Sequence, residues 1–266
     1  MINALVDIIL RHKRIIPVIV ALVAIGAYII PANSLALGAI SGSGNVQQAI
    51  TQSNSISASN TGKYGGAFAD FNFQLNSASN TADVALSNHG GTIKNSGNVL
   101  QDISQSNSIS ATNSGDNGIA DASHNIQVNS ASNTADVHIS NHGGNYHGAK
   151  ISNSGNVAQS ITQSNDIQAS NSGSSGSATA NNNVQSNDAS NSATVHISNH
   201  SGNHDSKGSH DKGGAKISDS GNVAQSISQS NSISSSNSGD SGSSDASGNL
   251  QSNSASNSAD VHIKNH

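Results

Sequence analysis

Cysteine and tryptophan are absent, glutamate does not occur, arginine stops at Arg14 and proline at Pro31. Each gap removes a class of structure. Without cysteine there is no disulfide framework. With 2% aromatic and 33% hydrophobic residues, the chain lacks the large apolar side chains that fill a mixed globular enzyme core. Only 9% of residues are charged, which does not match segments held unfolded by self-repulsion. Ser, Asn, Gly and Ala occupy the space instead, and polar, weakly charged, Asn-rich chains tend toward stacked β-structure.

The N-terminus reads as an export address. Arg11, Lys13 and Arg14 precede an apolar run from Ile15 to Ile30, followed by Pro31 and the small residues Ser34 and Ala36. This is the order of a signal peptide, with a hydrophobic helix, cleavage expected after Ala36, and membrane contact only before that cleavage. The run holds sixteen residues interrupted by Pro17, short of the ~20 needed to span a bilayer. Beyond Ala36 remain seven lysines, fourteen aspartates and no arginine. A chain so poor in cations is a poor polyanion binder, which argues against nucleic acid.

Repetition dominates the remainder. Gly-Asn-Val recurs at Gly44, Gly97, Gly155 and Gly221, dividing the chain into residues 37–92, 93–150, 151–216 and 217–266 after the signal segment 1–36. In the second copy, every other residue from Val99 reads Val99, Gln101, Ile103, Gln105, Asn107, Ile109, Ala111 and Asn113, with mostly Ser and Thr between them. That period of two predicts a strand with one packed and one wet face. A second arm alternates in the same way, with Asn125, Gln127, Asn129, Ala131, Asn133, Ala135, Val137, Ile139 and Asn141 on one side. Eleven residues separate the arms in every copy, as in Ser114 to His124, whereas the links between copies lengthen along the chain. A loop leaving one edge of a solenoid leaves strand register undisturbed. The fold class expected is therefore all-β, a repetitive β-solenoid or cross-β stack of four two-arm repeats. The arms could form a hairpin in one sheet or an arch between two.

Stacking copies at ~4.8 Å would set like residues above one another. The columns would be Gln48, Gln101, Gln159 and Gln225; Asn54, Asn107, Asn165 and Asn231; and Ile50, Ile103, Ile161 and Ile227. Side-chain amides so placed can donate and accept along the stack, which removes the penalty of burying them. Slipping by one residue would bury serine and expose isoleucine, so register is well specified. The end copies carry no proline or charged cap, and open strand edges imply that further molecules of the same chain supply the missing partner.

The stretch Ser154-Gly-Asn-Val-Ala-Gln-Ser-Ile-Thr-Gln-Ser-Asn165 resembles the curlin-type repeats of bacterial functional amyloids, in arms longer than curlin arms. The resemblance implies a secreted subunit at the cell surface or beyond it, polymerising with itself into cross-β fibres for adhesion or biofilm matrix. It makes Gln48, Gln52, Asn54 and their counterparts ladder residues, and it implies export or nucleation accessory proteins. Two other classes fit the residues less closely. One is a monomeric adhesin or ice-binding solenoid presenting Thr51, Ser53, Ser55, Ser57 and Ser59. The other is a His-rich metal binder, in which His142, His200, His204 and His210 would take Zn or Cu. His138 and His142 lie four apart on a strand, about 13 Å, and cannot share one ion. Histidine gains charge between pH 8 and 5, so assembly is expected to respond to pH. No nucleophile elbow, zincin motif or phosphate loop occurs, and neither catalysis nor a bound cofactor is expected.

Overall fold

A computed structural model describes residues 19–33, 39–143, 149–200 and 214–266. The chain is all-β, coiled into four successive rungs. Rung 1 holds β2 (Ile40–Ser41), β3 (Val46–Asn60), β4 (Gly66–Phe68) and β5 (Phe73–His89). Rung 2 repeats the order as β6 (Thr92–Lys94), β7 (Val99–Asn113), β8 (Gly118–Asp121) and β9 (Ile126–His142). Rung 3 follows with β10 (Lys150–Ser152), β11 (Val157–Asn171), β12 (Ser175–Thr179) and β13 (Val184–His200). Rung 4 closes with β14 (Lys216–Ser218), β15 (Val223–Asn237), β16 (Ser241–Asp245) and β17 (Leu250–Asn265). Each strand pairs in parallel with its counterpart in the next rung, giving two long sheets face to face and two narrow ones at the edges. The arms of a repeat therefore form an arch between two sheets and not a hairpin.

Register is residue for residue, with Gln101 opposite Gln159 and Ile103 opposite Ile161 along the whole of β7 and β11. The alternation read from the sequence separates inside from outside: the inward residues of β7 and β9 are buried, and the Ser and Thr between them face outward. Aliphatic side chains gather at both edges and near the centre, around Val137 and Ile139, around Ile109 and Ala111, and around Ile103 and Ile161. Amides fill the space between these clusters.

Rung repeat grows from 53 to 58 to 66 residues. The connection leaving the second arm absorbs the whole of that growth, at two, seven and fifteen residues after β5, β9 and β13. The other edge is held to one length because its backbones nearly touch. A Cβ at Gly173 would collide with the carbonyl oxygen of Gly115, its counterpart one rung earlier.

Within the expected signal segment, residues 1–18 and 34–36 lie outside the described residues, so the expected N-terminal helix is not described there. The described part, β1 (Ile19–Asn33), is a strand added in parallel to β5, from Ile19 opposite Phe73 to Asn33 opposite Ser87. Its Ile- and Val-rich sequence has high strand propensity, and Pro31 is tolerated because β1 is an edge strand. Among the described residues no helix is long and apolar enough to cross a membrane.

Left-handed backbone turns the corners. Gly155, at φ 68°, would place a Cβ 3.1 Å from Ile139 Cδ1 and 3.2 Å from Ile197 Cδ1. Gly42 has the same φ with nothing within 4 Å. Gly155→Ala should destabilise the fold by about 1–2 kcal/mol from backbone conformation alone and further through the displaced isoleucines, while Gly42→Ala loses only the backbone part. Urea unfolding of the two variants, with Gly155→Ala the weaker, checks this ordering.

Candidate functional site

The inward amides bond in two directions at once. Gln101 Nε2 donates to Gln48 Oε1 at 2.8 Å along the stack and to the Thr134 carbonyl at 2.9 Å across to the facing sheet. Gln159 and Gln225 each repeat the pair of bonds, and Gln105, Gln163 and Gln229 do the same beside them. Both N–H groups of each glutamine are thus used, and the desolvation cost of burying them is offset.

Asparagines form a second system that zigzags between the sheets. Asn54 donates to Asn76, Asn76 to Asn107, Asn107 to Asn129, Asn129 to Asn165, Asn165 to Asn187, Asn187 to Asn231 and Asn231 to Asn253, each at 2.9–3.0 Å. The bonds of this chain that pass between rungs all run from rung 1 toward rung 4. The glutamine-to-glutamine bonds along the stack run the other way. The sequence places Asn54, Asn107, Asn165 and Asn231 in a stacking column but does not pair them with Asn76, Asn129, Asn187 and Asn253 on the second arm. The alternation marks these as inward, yet only the arch reveals that they bond across.

The two ends differ. At rung 4, Val261 and Ile263 are 40% and 46% exposed, against 0% and 1% for Val195 and Ile197 one rung inside. No described strand pairs on the outer edge of β14, β15, β16 or β17. The amides of Gln225 and Gln229 donate only back toward rung 3 and across the sheets. At rung 1, Gln48 and Gln52 donate only to the facing carbonyls of Thr81 and Ser77, and Asn54 Oδ1 is buried without a partner.

Outward, histidines line up in two columns, stacked throughout the first and tilted past His142 in the second. His138, His196 and His262 rings lie 4.9 Å apart from rung to rung, and His89, His142, His200 and His266 lie 5.6, 6.3 and 5.8 Å apart. Asp136 and Asp260 pair with His138 and His262 at 3.1 Å. Protonated, neighbouring rings would carry like charge at close range, offset in those rungs by the carboxylates. Of the candidate metal residues, His142 and His200 are neighbours in the second column, while His204 and His210 lie outside the described residues. Among the described residues no group of three or more His, Cys, Asp or Glu is arranged to hold a metal ion.

One half-buried carboxyl was not visible in the sequence pattern. Burial pushes Asp70 up to about 7; the Ser123 backbone N–H, bonded at 2.9 Å, opposes this, and the adjoining Asp121 carboxyl adds to it. Two rungs on, the same position is Asn181, which donates to Asp245 Oδ2 at 2.8 Å. A protonated Asp70 plays the part of that amide.

No protein-family model matches the chain, and no curated protein or solved structure gives a significant match to it. The likeness to curlin-type repeats therefore rests on the repeat residues themselves.

Because the folded state holds the Asp70 proton up to about 7 and an unfolded carboxyl releases it near 3.8, this group favours folding in acid and loses that contribution as pH rises through this window. Asp70→Asn should stabilise the protein at pH 8 by on the order of 1–2 kcal/mol, allowing for solvent screening of a half-buried group, and by almost nothing at pH 4. Denaturant unfolding of both proteins across this range measures the difference; an equal effect at both ends would contradict the assignment.

Proposed function

We propose that the chain is a secreted structural subunit that stacks end to end into extracellular cross-β fibres serving adhesion or a biofilm matrix, in the manner of curlin-type functional amyloids. The observation that carries the reading is rung 4, where, among the described residues, no strand covers the edges of four parallel strands and a core complete one rung earlier is exposed. Soluble proteins ordinarily block long edges of this kind with charge, proline or covering loops. Here the edge presents side chains already spaced and oriented to continue. The basic and apolar leader supports export, and the outward serine faces suit a hydrated matrix. Activity is carried by assembly, with no catalytic step and no cofactor.

A monomeric surface binder is the second reading, favoured by the outward array of Thr51, Ser53 and Ser55 held in register with the next rung. Its signature would be a monodisperse protein at high concentration. The fibre reading is tested on protein folded as the full chain, cut within residues 34–38 at an introduced protease site, and concentrated. Electron microscopy should show unbranched fibres, with diffraction at ~4.8 Å along the axis and ~10 Å across it. Persistent monomers would reject it.

A further inference from the structure

We propose that β1 occupies on β5 the place of β17 from a second copy, so that molecules join rung 4 to rung 1 with all strands parallel, and only after β1 has left. The inference rests on the fibre reading and adds which faces meet and what controls the meeting.

The hydrogen-bond polarity selects the faces. Rung 4 ends with unused glutamine acceptors at Gln225 and Gln229 and with Asn253, whose amide donates to no further asparagine. Rung 1 begins with one unused N–H on each of Gln48 and Gln52 and with the unpartnered oxygen of Asn54. Docking rung 4 of one copy on rung 1 of the next sets donors against acceptors at every one of these positions and continues the asparagine zigzag without a break. Joining two rung-4 faces would require a two-fold axis, which reverses strand direction and loses the register. The contact is therefore head-to-tail, the kind that grows without closing.

β1 stands in the way. It pairs with β5 over Phe73 to Ser87, the positions that β17 would cover with Leu250 to Lys264 by the register of the inner rungs. It is an imperfect substitute: β1 sets Val20, Leu22 and Gly26 opposite Gln74, Asn76 and Asn80, where β17 would bring Gln251, Asn253 and Asn257. The Asn80 oxygen, buried under this strand, has no partner. Inside the stack the same column is bonded, with Asn80 donating to Asn133 and Asn133 to Asn191 at 3.0 Å. A second copy satisfies what β1 leaves unmet. A capped molecule also keeps its own rung 4 free, so it can dock on the rung-1 end of a growing fibre and terminate that end.

The test uses the full chain with the protease site at residues 34–38, compared before and after cutting, and a full-chain variant, Ile25→Pro with Gly26→Pro, that removes consecutive backbone donors from β1. Cut protein and the proline variant should elongate, and uncut protein should stay monomeric. Fluorescent uncut protein added to preformed fibres should label one end only and halt growth there. Asn253→Asp keeps the oxygen that accepts from Asn187 and Asn231 and turns the outward rung-4 amide into an acceptor opposite the Asn54 oxygen of the next copy; it should leave the monomer folded and abolish elongation after cutting. Equal elongation of cut and uncut protein would overturn the capping role while leaving assembly intact. Labelling of both ends, or elongation by Asn253→Asp at the parent rate, would overturn the head-to-tail pairing. No fibres from cut protein or from the proline variant would overturn both this inference and the fibre reading.

Discussion

A buried side-chain amide must find partners for its oxygen and both its hydrogens, and in this chain it finds them only if identical residues lie directly above one another. The remaining features follow from that constraint. Strands must be parallel, because an antiparallel return would set Gln101 beside an unrelated residue. Arms must keep one length, because an insertion inside a strand would shift every later rung pair and exchange the two faces. Growth of the rung repeat is accordingly confined to the connection behind β5, β9 and β13. The scarcity of aromatics belongs to the same logic. Asparagine reaches from one sheet to the other, with Asn107 donating to Asn129 at 3.0 Å, only where the sheets are close, and bulky rings would hold them apart.

A core held together in this way has no natural end. A hydrophobic core can be finished with a polar surface, whereas a ladder with a direction leaves a donor at one extremity and an acceptor at the other. The opposite senses of the glutamine and asparagine systems make each end a mixed surface of both kinds, complementary to the opposite end and to nothing of its own kind. In the proposed fibre, the bonds that join molecules are the same bonds that fold the chain, and folding and assembly differ only in whether the next rung is covalently attached.

Much of this was legible in the sequence because a period of two is a direct statement about which side chains point inward. The separation of Gln101, Ile103 and Asn107 from the serines between them needs no structure to see, nor does the fixed spacing between arms. Other features depend on the path of the chain. Both a hairpin and an arch satisfy the alternation, and only the arch brings Asn76 against Asn107. The raised carboxyl at Asp70 arises where a corner half-buries it beside Asp121, and neither residue belongs to the alternating pattern of the arms. The N-terminal apolar run carries strand propensity and helix length in one segment, and its described part, Ile19–Asn33, pairs as a strand on the edge of β5. The histidine columns were countable from the sequence, but their rung-to-rung stacking at 4.9 Å follows from the shared register.

The most direct measurement of the central claim is hydrogen exchange at the side-chain amides of Gln101, Gln105 and Asn107, followed by NMR on the folded protein with these residues labelled. The account predicts that their protons exchange as slowly as the backbone amides of β7, because both hydrogens are held in bonds inside the stack. Exchange at the rate of free glutamine and asparagine, while the strand backbone stays protected, would contradict it.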